Sequence, residues 1–154
     1  MKLERILGLG VSALVFLAAP AAADDLKLPE GKVALHYFRS DGKYGGWGIH
    51  VWESFQKPEE ADKDLAAKQR TDQPLTSWGS PMQPSGTDDF GVYWLLDEAS
   101  FHNGRVNYII HRGDTKDQCS ADKFWMIKDS REAWVNAGDC NVYLSKEAAL
   151  KARK

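Results

Sequence analysis

Apolar and polar positions along this chain fall mostly into short runs of period two. Val33, Leu35 and Tyr37 alternate with Ala34, His36 and Phe38, a run of β-formers that Ser40-Asp41-Gly42 ends. After the loop Tyr44-Gly45-Gly46, Trp47 to Trp52 reads as a second strand. Pro58 to Gln73 is polar. Within it Glu59 to Arg70 suits a short surface helix, with Glu59–Lys63 and Asp64–Lys68 pairs at i,i+4 and only Leu65 to fasten it. Pro74, Gly79, Pro81, Pro84 and Gly86 punctuate a loop region that contains a short strand candidate, Leu75 to Trp78. Phe90 to Leu96 is a strong strand. His102-Asn103-Gly104 turns into another, Arg105 to His111, with Val106, Tyr108 and Ile110 on one face. Arg112 to Asp122 is a polar loop. Phe124 to Ile127, Ala133 to Val135 and Asn141 to Leu144 complete the strand candidates. Ser145 then caps a helix over Lys146 to Ala152. Seven or eight short strands with one small helix predict an all-β sandwich.

The beginning of the chain follows another pattern. Lys2 and Arg5 precede an apolar stretch, Ile6 to Ala19, and Ala21-Ala22-Ala23 forms a small-residue site before Asp24. This is the layout of a secretory signal peptide, and the stretch is short for a membrane span. A signal peptide over 1–23 leaves one domain over 24–154, with no membrane insertion after cleavage and a periplasmic or secreted location. Such a domain is too short for a TIM barrel, which needs roughly 250 residues.

Charge narrows the function classes. The chain has 20 Lys and Arg against 22 Asp and Glu; removing Lys2, Glu4 and Arg5 leaves 18 against 21. No basic excess or cluster of the kind a nucleic-acid binder carries is present. The two Cys, Cys119 and Cys140, are either two free thiols or a disulfide, and export favours the disulfide. There is no nucleophile elbow, zinc-protease helix, phosphate loop or dinucleotide fingerprint. His36, His50, His102 and His111 stand singly, and no cofactor is implied. Arg112-Gly113-Asp114 matches an adhesion tripeptide, but three residues carry almost no information.

All six Trp lie after residue 23. Strand alternation sends Trp47, Ile49 and Val51 to one face and Gly48, His50 and Trp52 to the other. The first set is core. The second puts an imidazole and an indole about 6.5–7 Å apart along the strand, a planar apolar surface with polar edges. That suits a pyranose ring, with C–H groups on its faces and hydroxyls on its rim; the alternative is that Trp52 covers a sandwich edge and His50 faces solvent. Trp94 and Trp134 read as core by strand pattern. Trp78 and Trp125 are left open.

In order along the chain come Leu35-His36-Tyr37-Phe38-Arg39, Asp41-Gly42, Gly46-Trp47-Gly48-Ile49-His50-Val51-Trp52, Asp89-Phe90-Gly91 and Ile109-Ile110-His111-Arg112-Gly113-Asp114-Thr115-Lys116-Asp117. Trp134, Gly138-Asp139 and Val142-Tyr143 follow. The set resembles the bacterial pullulanase-associated domain, the family 41 carbohydrate-binding module, from about Val33 to Ser145. The resemblance implies an immunoglobulin-like antiparallel β-sandwich with a short C-terminal helix, non-catalytic, that binds α-glucans such as starch, glycogen and pullulan. It implies that His50 and Trp52 stack on sugar rings, and that Arg112 and Asp117 hydrogen-bond hydroxyls. Lys116 is expected as a supporting donor. Arg112 stands where the family usually has Lys, and the two are not equivalent donors. A separate glycoside hydrolase is the partner implied. A protein-interaction module that has lost the sugar is the second expectation, and a small carboxylate hydrolase the third.

Overall fold

The computed structural model describes residues 24–52, 76–101 and 103–153. Among these residues eight strands form two four-stranded sheets. The strands are β1 (Lys32–Phe38), β2 (Gly48–Trp52), β3 (Gly86–Thr87), β4 (Val92–Asp97), β5 (Arg105–Arg112), β6 (Thr115–Lys116), β7 (Lys123–Met126) and β8 (Glu132–Asn136). Sheet A has the order β3-β4-β1-β8. In sheet B, β5 is central, with β2 on one side and β6 and β7 on the other. All these pairs are antiparallel except β1 with β8, which is parallel.

The inward faces follow from the period-two pattern. Val33, Leu35 and Tyr37 of β1 meet Ile49 and Val51 of β2, Trp94 of β4, and Val106, Tyr108 and Ile110 of β5 in one buried cluster with Trp47 and Trp125. Each large side chain fully buried this way contributes about 1.5–3 kcal/mol. The Trp94 indole N–H, which needs a partner once buried, donates to the Met82 carbonyl at 2.9 Å. Met82 in turn bridges Ile49, so the loop before β3 is laid across the β2 edge. Gly48 sits under that crossing. A Cβ there would meet the Met82 carbonyl oxygen at 2.8 Å and Pro81 Cβ at 2.9 Å. The β5–β6 hairpin closes through Gly113, whose φ of +56° is the left-handed conformation that glycine adopts at least cost.

Three sequence expectations shift. Asn141 to Leu144 is not a strand: only Tyr143 bridges Trp134. The supposed loop after Arg112 holds the short strand β6. Trp134 is half-buried outside the core, because its smaller neighbours Ala133 and Val135 take the inward positions. It stacks on His36 instead, with centroids 5.0 Å apart. The helix forms as α1 (Lys146–Lys151), with Ser145 Oγ accepting from the Ala148 N–H. The expected signal peptide, the surface helix over Glu59 to Arg70, and His102 lie outside the described residues.

Candidate functional site

Strand β2 turns one face to the core and half-exposes His50 and Trp52 on the other, while Val106 to His111 of β5 beside it are buried on both faces. Register places Gly48 opposite His111, His50 opposite Ile109 and Trp52 opposite Asn107. Directly opposed residues share a face, and Ile49 and Val51 point into the core. His50, Trp52, Ile109 and His111 therefore lie together on the outer face of sheet B. β6 adds Lys116, paired with His111.

Two half-buried rings from β2 stand side by side here. The His50 and Trp52 centroids are 5.3 Å apart with planes 28° apart. His50 Nδ1 is 3.0 Å from Thr76 Oγ1, which also accepts from the Val51 N–H and donates to the Val51 carbonyl. That fixes the imidazole to its own strand. Burial, then the electrostatic influence of His111, lowers the His50 pKa below its ordinary 6.5. The ring is therefore a neutral, flat surface at neutral pH.

A third ring comes from the loop. Trp78, 36% exposed, lies on His111 with centroids 4.0 Å apart and stands at 75° to His50. Its indole N–H donates to Asp114 Oδ1 at 2.9 Å, and Lys116 Nζ is 5.4 Å from its ring centroid. His111 is fully buried beneath it, with Nδ1 donating to the Gly113 carbonyl.

Of the residues expected at the site, the structure brings together His50, Trp52 and Lys116. It takes Arg112 and Asp117 elsewhere. Arg112 follows His111 on β5 and so alternates to the opposite side of the sheet, where its guanidinium lies 5.1 Å from the Trp47 ring. Arg39 lies against the same ring at 4.6 Å. The Asp117 carboxylate turns inward and is only 9% exposed. One oxygen accepts from the Tyr37 hydroxyl and lies 3.6 Å from Arg39 Nη1. The other accepts from the Gln118 and Gly138 backbone N–H groups at 2.7 and 2.8 Å. Burial, then the Asp117 hydrogen bond, drives the Tyr37 pKa far above the ordinary tyrosine range.

Sequence reasoning left Trp78 open, and Asp114, its anchor, belonged to the tripeptide set aside as uninformative. Among the described residues no group of three or more His, Cys, Asp and Glu could hold a metal, and no helix is long and apolar enough to cross a membrane. Cys119 and Cys140 are bonded, with Cα atoms 5.3 Å apart.

The family model of the bacterial pullanase (pullulanase)-associated domain matches residues 31–144. The chain belongs to that family. An α-amylase of Streptomyces lividans is 36% identical over 97 residues, which is 61% of this chain and 8% of the relative. Among solved structures, the one described as α-glucan recognition by family 41 carbohydrate-binding modules from streptococcal virulence factors matches this pullulanase-associated domain with a TM-score of 0.58. The identity is 16%, covering 81% of this chain and 52% of that one. Klebsiella pneumoniae pullulanase complexed with maltotriose matches with a TM-score of 0.61 at 18% identity, covering 87% of this chain and 12% of that one. At such identities the likeness is one of fold, and the domain spans only a small part of the two enzymes.

Proposed function

We propose that this pullulanase-associated domain is an exported, non-catalytic module that binds α-glucan on the outer face of sheet B. The observation that carries the reading is the gathering of three rings, His50, Trp52 and Trp78, on one face, with Lys116 beside them. Flat apolar ring faces suit the C–H faces of glucose units, and an ammonium donates to hydroxyls at the rim. The α-glucan and maltotriose named for the fold relatives supply the ligand class. The disulfide supports export, because such bonds persist in oxidising compartments. Arg112 and Asp117, the further polar contacts proposed, would have to leave Trp47 and Tyr37 to reach a sugar stacked on these rings. Binding to a shallow, solvated face should be weak, with Kd roughly in the µM to mM range.

Electrophoresis in gels with and without glycogen tests this. The wild-type protein is retarded, and Trp52→Ala loses at least about tenfold in affinity, 1.4 kcal/mol, at a little-changed melting temperature. Equal retardation of the two proteins refutes the ring assignment. The second reading, a protein-interaction module without sugar binding, is favoured by the inward engagement of Asp117, and absence of any retardation of the wild type would select it.

A further inference from the structure

The outer face of sheet B does not end at Trp52. Register continues in one row: Trp52 opposes Asn107 on β5, and Asn107 opposes Phe124 on β7. Opposed residues share a face, so Phe124 points the same way as Trp52, two strand spacings or about 9.4–9.8 Å away. Its neighbour Trp125 takes the core at 3% exposure, while Phe124 is 44% exposed.

A lone exposed apolar residue is ordinary. Phe124 is not alone. The Arg105 guanidinium carbon lies 3.7 Å from its ring centroid. Arg105 Nε donates to Asn107 Oδ1 at 2.9 Å, and Asn107 Nδ2 donates to the Trp52 carbonyl at 3.2 Å. The cation is thus tied through one buried amide to the backbone of Trp52. A shallow cavity of about 190 Å³ continues beyond the ring, bounded by Phe124, Met126, Val142 and Leu144.

We propose that Phe124 and Arg105 form a further glucan subsite, reached only by chains longer than those that fill the three rings at Trp52. The inference rests on the glucan reading above. Arg105 covers one face of the Phe124 ring, so the exposed remainder of the ring offers the surface for a sugar, and the positioned guanidinium offers donors for hydroxyls at its edge. A trisaccharide is the short probe for the three-ring site, and a heptasaccharide is the one long enough to extend to Phe124 as well.

Isothermal titration with maltotriose and with maltoheptaose tests the subsite. The wild-type protein binds the longer chain more tightly. Phe124→Ala cuts that preference by about fivefold, the size of one aromatic contact, whereas Trp52→Ala weakens both ligands. Arg105→Gln, a substitution outside the core cluster, shifts the preference in the same direction and guards against misfolding of Phe124→Ala. A length preference unchanged in both Phe124→Ala and Arg105→Gln overturns the subsite and leaves the ring site standing. If the wild-type protein binds neither sugar, the glucan reading falls and the subsite with it.

Discussion

The indole of Trp78 lies flat on the imidazole of His111, with centroids 4.0 Å apart and planes 5° apart. The loop residue owes its orientation to a strand residue 33 positions later. Asp114 completes the arrangement by taking the indole N–H. Asp114→Ala should therefore free the ring without disturbing the core. The expected result is a several-fold loss of glycogen retardation with stability within about 0.5 kcal/mol of wild type, as is usual for surface positions. Gel retardation and a thermal melt, run together, check it.

Asp117 offers the opposite case. Its carboxylate accepts from Tyr37 and from two backbone N–H groups, with Arg39 nearby. Asp117→Ala would leave the Tyr37 hydroxyl proton and the Gln118 and Gly138 N–H groups without their acceptor, while Arg39 still donates to the Tyr37 oxygen and pairs with Asp41. A loss of about 3 kcal/mol is expected, seen as a melting temperature lower by roughly 10 °C. Lost glucan binding at an unchanged melting temperature would instead make Asp117 a sugar contact.

The buried His36 sits between two carboxylates, with Nδ1 2.7 Å from Asp88 and Nε2 3.1 Å from Glu132. Burial alone would lower its pKa, but the hydrogen bonds and charges of Asp88 and Glu132 outweigh it and raise the value above 6.5. For Asp88, burial opposes ionisation, yet His36 and the Gly91 and Phe90 N–H groups hold its pKa below 3.8. The His36 contribution to stability is full below pH 6.5 and is lost as pH rises through its raised pKa. The Asp88 contribution is full above pH 3.8 and is lost as pH falls through its lowered pKa. Thermal melts across pH should show stability falling on the alkaline side in wild type, and His36→Gln should flatten that limb. An unaltered alkaline limb in the variant would contradict the ion-pair account.

Gln118, Cys119 and Ser120 all have positive φ, at 51°, 64° and 55°. Three successive left-handed residues cost roughly 1–2 kcal/mol each. The Cys119–Cys140 bond and the Asp117 carboxylate hold this turn against β8's exit loop. Replacing both cysteines by serine should cost about 3 kcal/mol for a 21-residue separation, measured by urea denaturation. No change on replacement would mean that the remaining hydrogen bonds hold the turn unaided.

The strands and the core were legible because alternation is a local signal. Val33-Leu35-Tyr37 and Trp47-Ile49-Val51 each declare a face without reference to the rest of the chain. Trp52 and His50 were legible for the same reason. Trp78 was not, because Ser77, Gly79 and Pro81 around it carry no period, and its stacking partner lies on another element. A large aromatic in a polar, proline-punctuated loop was the only signal available. Arg112 was partly legible: Val106, Tyr108 and Ile110 already set the phase that turns it toward Trp47, but the strand runs one residue further than its apolar pattern suggested. Asp117 is held by Tyr37, 80 positions earlier, a distance that no local pattern spans. Trp134 shows the limit of a three-residue strand pattern, which leaves either face free to turn inward: Ala133 and Val135 filled the core in its place.

Gly48 has a consequence beyond its own fit. A slip of β2 by one residue against β5 would exchange its two faces, sending Trp52 and His50 inward and Ile49 and Val51 to solvent. Such a slip would put a side chain where Gly48 now passes under Met82 and Pro81. The missing Cβ thus acts as an alignment mark. It disfavours the slipped phase of the strand, and so works with core burial to set which half of the Trp-rich segment meets the outside world.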